Sequence, residues 1–240
     1  MQIFRSLLFN FIFFGSSAFI LVGALILLPF PRKATQKCFQ IWMKYMMWLL
    51  KVLVGLDYKI TGRENLPEGP VVIACKHQSA WDVGIFLILF SDPAYILKKE
   101  LLSVPVYGWL LRKTRMIAIN RDGGASALKD MMQQTRKTVA AGRSVVIFPE
   151  GTRSAPDSKG TYHPGVAALY KTANVPLVPA ALNSGCFWAR RGFTKRPGTI
   201  TLEFQPPISK GLKAREFMEE LENRIETASR NLQQAVCPQA

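Results

Sequence analysis

Residues 71–82 read VVIACKHQSAWD, and the fold turns on where the apolar run stops. A buried strand over 71–75 gives way at once to lysine and histidine, and Ser79 with Asp82 has capping-box spacing at the start of a helix over 80–90. In α/β proteins, groups at such a strand exit are the ones expected to carry function. His77 stands there, one of two histidines in 240 residues, and Asp82 comes five positions later. On a continuous helix that offset turns two side chains about 140° apart, whereas a strand-to-helix corner brings them together. Two readings stay open from this stretch alone. Asp82 caps a helix beside an incidental histidine, or it orients a general base.

Downstream, short apolar runs at 116–119, 144–148, 175–182 and 199–204 read as further strands. Helical patterns alternate with them at 125–141, 164–173 and 212–234, the last with Phe217, Leu221, Ile225, Ala228 and Leu232 on one face. The alternation predicts an α/β fold with a mixed, mostly parallel sheet flanked by helices. A second corner lies in VVIFPEGTRS (145–154), where a buried strand ends in Pro149-Glu150-Gly151-Thr152-Arg153-Ser154. Such a turn offers backbone N–H groups, a glycine that allows close approach and a guanidinium suited to phosphate oxygens. Glu150 fits there only if it pairs with a cation or bonds a hydroxyl. The plain alternative is a tight turn with a solvated arginine.

Upstream the texture differs. From Ser6 to Pro31 no side chain is charged for 26 residues, more than the roughly 20 that span a bilayer. It is too long for a signal-peptide core and lacks a small-residue cleavage site. Asn10, Gly15, Gly23 and Ser16-Ser17 allow a tilted or re-entrant helix, so insertion is expected, whether by spanning the bilayer or within one leaflet. Lys37, Lys44 and Lys51 then recur every seventh residue among Trp42, Trp48, Leu49 and Leu53. That is the pattern of a helix in the headgroup layer or of an amphipathic helix packed on its own domain. Residues 1–56 hold six Lys/Arg and no Asp/Glu, a bias that keeps the rest of the chain cytoplasmic. The expected division is a membrane-associated helical segment over 1–56 and a cytoplasmic domain over 57–240.

Net charge is +15, which favours an anionic partner but does not choose one. Nucleic acid is disfavoured, because no recognised binding motif is present and the apolar N-terminus holds the chain at a membrane. The four cysteines have neither zinc-ligand spacing nor a disulfide pattern, so no metal site and reduced thiols are expected.

HQSAWD, MIAINR ending in Arg121, FPEGTRS and VPLVPAAL stand in the order found in the glycerolipid acyltransferase family. Residues 60–183 resemble that family, and within it the bacterial 1-acyl-sn-glycerol-3-phosphate (lysophosphatidate) acyltransferases. Lys76 is a departure, since many members have asparagine before the histidine. The resemblance implies that His77 is the general base for the sn-2 hydroxyl of lysophosphatidate as it attacks an acyl thioester; the alternatives are another lysolipid or glycerol 3-phosphate as acceptor, or a non-catalytic basic membrane-binding module. Asp82 would fix the tautomer, and no covalent acyl-enzyme is needed. It implies Arg153 and Arg121 on the phosphate, Glu150, Gly151 and Thr152 shaping the pocket, and Lys98 as a weaker anion ligand whose plain alternative is a solvated lysine. It implies no cofactor, with acyl-CoA or acyl carrier protein as co-substrate. A place on the cytoplasmic face of the inner membrane, among phospholipids, is implied by the same likeness. Pro176 and Pro179 read as wall residues, His163 as a loop histidine, and Arg190, Arg191, Lys195 and Arg196 as a solvated basic loop or a contact for anionic partners.

Overall fold

A computed structural model describes residues 1–237. The chain opens with α1 (Gln2–Gly23) and a 3₁₀ turn (Ala24–Leu27), then doubles back along α2 (Arg32–Leu49). Pro29 and Pro31 fall at the bend, where their missing N–H groups and fixed φ stop one helix and start the next. A π-helical turn closes at Gly55, which takes a left-handed φ of 76°. The alternating part then runs β1 (Leu56–Thr61), β2 (Val72–Cys75), α3 (Trp81–Leu89), β3 (Ala94–Lys98), α4 (Tyr107–Lys113), β4 (Ile117–Ile119), α5 (Gly124–Ala140), β5 (Val145–Ile147), α6 (Gly165–Thr172), β6 (Leu177–Leu182), β7 (Gly198–Phe204) and α7 (Ala214–Gln234).

The strands form one seven-stranded sheet in the order β1-β7-β6-β2-β5-β3-β4. All pairings are parallel except β6 with β7. The strands expected from apolar runs are present, and two more join them. β1 carries Asp57 and Lys59 at the sheet's edge, and β3 sits between Pro93 and a polar stretch, so neither stands out as an apolar run.

Side-chain alternation divides the core between the two faces of the sheet. Ile73 and Cys75 face a layer holding Phe9, Met46, Leu50, Val54, Ile85 and Phe86. Val72 and Ala74 face Met131, Val166, Leu169, Phe217, Leu221 and Ile225 on the other side. Residues 1–56 therefore share a core with the sheet.

α1 is held to the rest of the molecule at both ends. Near its start Gln2 Nε2 and Ser6 Oγ donate to Lys195 O at 3.1 and 3.3 Å, and Asn10 Nδ2 donates to Phe193 O at 3.0 Å. Beyond its end Lys113 Nζ donates to Leu28 O and Phe30 O at 2.7 and 2.6 Å. Its outer face, with Phe4, Phe11 and Phe19, is exposed, as is Ile26 of the turn that continues it. Among the described residues it is the one helix long and apolar enough to cross a membrane.

Two expectations are corrected. Lys195 is buried, not solvated: its ammonium bonds Asn10 Oδ1 and, at 3.0 Å, Phe193 O, and burial lowers its pKa to about 8. Cys186 and Cys237 form a disulfide with Cα atoms 5.3 Å apart, leaving only Cys38 and Cys75 as thiols. The pair is 51 residues apart in sequence, and only the packing of the end of α7 beside the turn after β6 brings it together, where Asn183 Nδ2 donates to Leu232 O at 3.1 Å.

Candidate active site

β6, β2 and β5 are neighbours and parallel, so their exits emerge side by side. His77 lies just past β2, Pro149–Arg153 past β5, and Asn183–Cys186 past β6. Three corners distant in sequence thus become one site.

Asp82 is fully buried in the first turn of α3. Its Oδ2 accepts from His77 Nδ1 at 2.9 Å, Gln78 N at 2.6 Å and Ser79 N at 2.8 Å. Its Oδ1 accepts from Ser184 Oγ at 2.5 Å and Ser79 Oγ at 3.4 Å. The two readings of VVIACKHQSAWD are therefore not rivals. The carboxylate that reaches back to the N–H groups at the helix start also meets the imidazole, and its donors offset the cost of burying a charge. With Nδ1 donating to Asp82, Nε2 is the nitrogen that carries the lone pair.

The His77 ring stacks on Phe148, centroids 4.0 Å apart. Its main chain is clamped by the FPEGTRS corner: His77 N donates to Glu150 Oε2 at 3.1 Å, and Ser154 N and Oγ donate to His77 O at 2.8 and 3.2 Å. Motifs about 70 residues apart in sequence thus build one loop, with the base in the first and its support in the second.

His77 opens on a cavity of about 600 Å³. Lys98, Arg121, Gly151, Thr152 and Arg153 line it with His77, while Phe13, Ile20, Leu21, Trp42, Leu87 and Leu111 belong to its apolar wall. Gly151 has φ +65°, and a Cβ there would stand 3.0 Å from the His163 ring and 3.3 Å from Arg121 Nη1. Both side chains therefore flank the turn, which a larger residue would obstruct. Among the described residues neither Arg121 nor Arg153 forms an ion pair, whereas Lys98 pairs with Glu100 at 3.1 Å. Glu150 has the cation partner that its turn calls for but does not line the cavity. It is buried away from the cavity, and its Oε1 accepts from Lys76 Nζ at 2.9 Å and Gly160 N at 3.2 Å.

Sequence reasoning missed Ser184, Phe148 and Gln78. Ser184 lies just past the end of β6, so the strand-exit rule pointed to it once β6 neighboured β2. Gln78 accepts from Gly185 N at 3.0 Å and seats that turn. Ser184→Ala removes one donor to a buried carboxylate, and initial rates are expected to fall roughly three- to tenfold with the chain still folded, in line with a charged hydrogen bond partly replaced by its neighbours.

A family model described as Acyltransferase matches residues 57–183, a span that contains both the His77 and the Arg153 corners. The chain belongs to the acyltransferase family. This acyltransferase is 37% identical over 230 residues to the 1-acyl-sn-glycerol-3-phosphate acyltransferase of Pseudomonas aeruginosa, covering 94% of this chain and 88% of the relative. It is 28% identical over 136 residues to a lyso-ornithine lipid O-acyltransferase of the same organism, covering 57% and 52% of the two chains. Its fold matches the crystal structure of the 1-acyl-sn-glycerophosphate acyltransferase of Thermotoga maritima with a TM-score of 0.72, at 22% identity and over 97% of this chain and 96% of that one. The acyltransferase thus has the expected mixed, mostly parallel sheet.

Proposed function

We propose that the chain transfers a fatty acyl group from a thioester to the sn-2 hydroxyl of lysophosphatidate, making phosphatidate for phospholipid synthesis. The observation that carries this reading is the pairing of His77 and Asp82 beside a largely apolar cavity that Arg121 and Arg153 also line and where, among the described residues, neither arginine has an ion-pair partner. His77 Nε2 takes the hydroxyl proton as the oxygen attacks the thioester carbonyl. The new C–O ester bond forms, the C–S bond breaks, and the imidazolium returns its proton to the departing thiolate. Asp82 steadies that imidazolium. Arg153 and Arg121 hold the phosphate, Gly151 and Thr152 shape its turn, and Lys98, exposed and shared with Glu100, is a secondary ligand. The acyl chain lies along Phe13, Leu21 and Trp42.

The donor is acyl-CoA or acyl carrier protein, since both carry the thioester on a phosphopantetheine arm. A lyso-ornithine lipid is the competing acceptor, on the strength of the second Pseudomonas relative. The cations that line the cavity favour a phosphate-bearing acceptor instead.

Residues 1–56 act as the membrane-associated segment and the remainder as the catalytic domain on the cytoplasmic face of the inner membrane. Both ends of α1 are tied to the body of the protein, which supports insertion into one leaflet with Phe4, Phe11 and Phe19 in the acyl region. On α2, Lys33, Lys37 and Lys44 line a groove beside the exposed Ile41, Tyr45 and Trp48, as suits the headgroup level. Lys51, expected in that stripe, pairs with Asp57 at 2.7 Å.

The test is acyl transfer from labelled oleoyl-CoA to lysophosphatidate in detergent micelles, with a carrier-protein donor and lyso-ornithine lipid run in parallel. Phosphatidate as the main product is expected. Preference for lyso-ornithine lipid would overturn the acceptor, and no transfer with any pair would overturn the reaction. Arg153→Ala is expected to raise KM for lysophosphatidate by about tenfold or more, the loss of a charge-assisted bond.

A further inference from the structure

Lys76 is among the largest side chains buried at less than 2% exposure. Its ammonium donates to Glu226 Oε1 at 2.7 Å, Glu150 Oε1 at 2.9 Å and Ser158 O at 3.1 Å. Glu226 sits on α7, at the far end of the sequence, and its Oε1 also accepts from Tyr162 Oη at 2.9 Å. Burial and then the Glu226 carboxylate push the Tyr162 phenol well up, so it stays a donor. None of these four side chains lines the substrate cavity. An ion cluster this deep contributes little net stability over a well-packed apolar one, yet breaking it by removing one partner is costly. Its geometry shows what it controls. The Glu150 carboxylate gripped by Lys76 is the one that receives the His77 N–H.

We propose that Lys76 and Glu226 are positioning residues for acyl transfer: they fix Glu150, Glu150 fixes the His77 main chain, and α7 thereby belongs to the catalytic apparatus. The inference rests on His77 as the base of the reaction described above. Without Glu226, Lys76 has one carboxylate instead of two, and Glu150 is free to follow it. The His77 peptide then loses one of its two anchors, and its ring shifts relative to the bound hydroxyl. Misplacement near 1 Å costs on the order of a hundredfold in rate, so a partial release is expected to cost about tenfold.

Kinetics of wild type, Glu226→Ala, Glu226→Gln, Lys76→Met and the Lys76→Met/Glu226→Gln double variant test this, at a temperature where circular dichroism shows each folded. Glu226→Ala is expected to lower kcat about tenfold with KM for both substrates within about twofold, because the cluster does not touch the cavity. Glu226→Gln, which keeps an acceptor for Lys76 and leaves one carboxylate to one ammonium, should recover to within about threefold of wild type. Lys76→Met strands two carboxylates, and adding Glu226→Gln should restore part of its loss, since contacting groups are non-additive. If Glu226→Ala does not fold, Glu226→Asp carries the test, with kcat expected about threefold down at constant KM. Wild-type kcat in the folded Ala or Asp variant, a KM rise that accounts for the loss, or a double variant no better than Lys76→Met would overturn the positioning role alone. Absence of wild-type turnover would overturn acyl transfer and this role with it.

Discussion

Replacing His77 with alanine is expected to lower turnover roughly 10²–10⁴-fold, the usual contribution of a positioned general base, while the protein stays folded. Folding survives because the imidazole is one of several partners for Asp82. With the ring gone, the buried carboxylate keeps Gln78 N, Ser79 N and Ser184 Oγ, so no uncompensated charge is left behind. The ring also stacks on Phe148 and borders the cavity, so its truncation enlarges existing space and leaves no sealed void. Rates of phosphatidate formation, read beside thermal unfolding of the same preparation, check both halves. Near-normal turnover in a folded His77→Ala protein would remove the base from the mechanism.

Asp82→Asn is expected to lose about as much rate as His77→Ala, on the order of 10²–10⁴-fold, by a different route. The amide can keep the local fold. If its oxygen takes the place of Oδ2, it still accepts from His77, Gln78 and Ser79, and its NH₂ group donates to Ser184 Oγ once that hydroxyl turns. What disappears is the negative charge that holds His77 in the Nδ1–H tautomer and stabilises the imidazolium formed when the hydroxyl gives up its proton; the equivalent change in a Ser-His-Asp site, which leaves the histidine in the wrong tautomer, costs about 10⁴. Asp82→Ala separates chemistry from architecture. It strands the buried N–H of Gln78 and Ser79 at about 1–3 kcal/mol for each unsatisfied group, so its unfolding midpoint should fall well below that of Asp82→Asn. Equal stability of the two variants would show that the helix start does not depend on the carboxylate.

Much of this arrangement is legible in the chain. The strands at 72–75 and 145–147 come from short apolar runs, the helix from Trp81 from the pattern that alternates with them, and the apolar face of Phe217, Leu221 and Ile225 from helical periodicity. The pairing of His77 with Asp82 is one of two readings the strand-to-helix corner leaves open, and the resemblance carried by HQSAWD and FPEGTRS favours it. Glu150 shows where such reading stops. A carboxylate in a turn that otherwise suits phosphate demands a partner, but the partners are Lys76, adjacent to the base, and the amide of His77 itself. That choice depends on β2 and β5 lying side by side. Ser184 was hidden for the same reason, since its nearness to Asp82 across 102 residues is a property of strand order. Edge strand β1 was hidden because a half-exposed strand with charged residues lacks an apolar run. The Cys186–Cys237 pair depends on where α7 ends, which no local pattern encodes.

The cavity beside His77 takes part of its wall from Phe13, Ile20 and Leu21 of the N-terminal helical stretch, whose opposite side is bare and greasy. With that side sunk in a leaflet, a lysolipid can slide sideways from the bilayer into the protein with its tail continuously in contact with hydrocarbon. Pulling the tail through water instead would cost about 0.8 kcal/mol for each methylene, on the order of 10 kcal/mol for a common fatty chain. The enzyme would then work in two dimensions. Its rate should track the mole fraction of lysolipid in the surface, not the bulk concentration, and dilution with inert lipid at constant substrate should slow it.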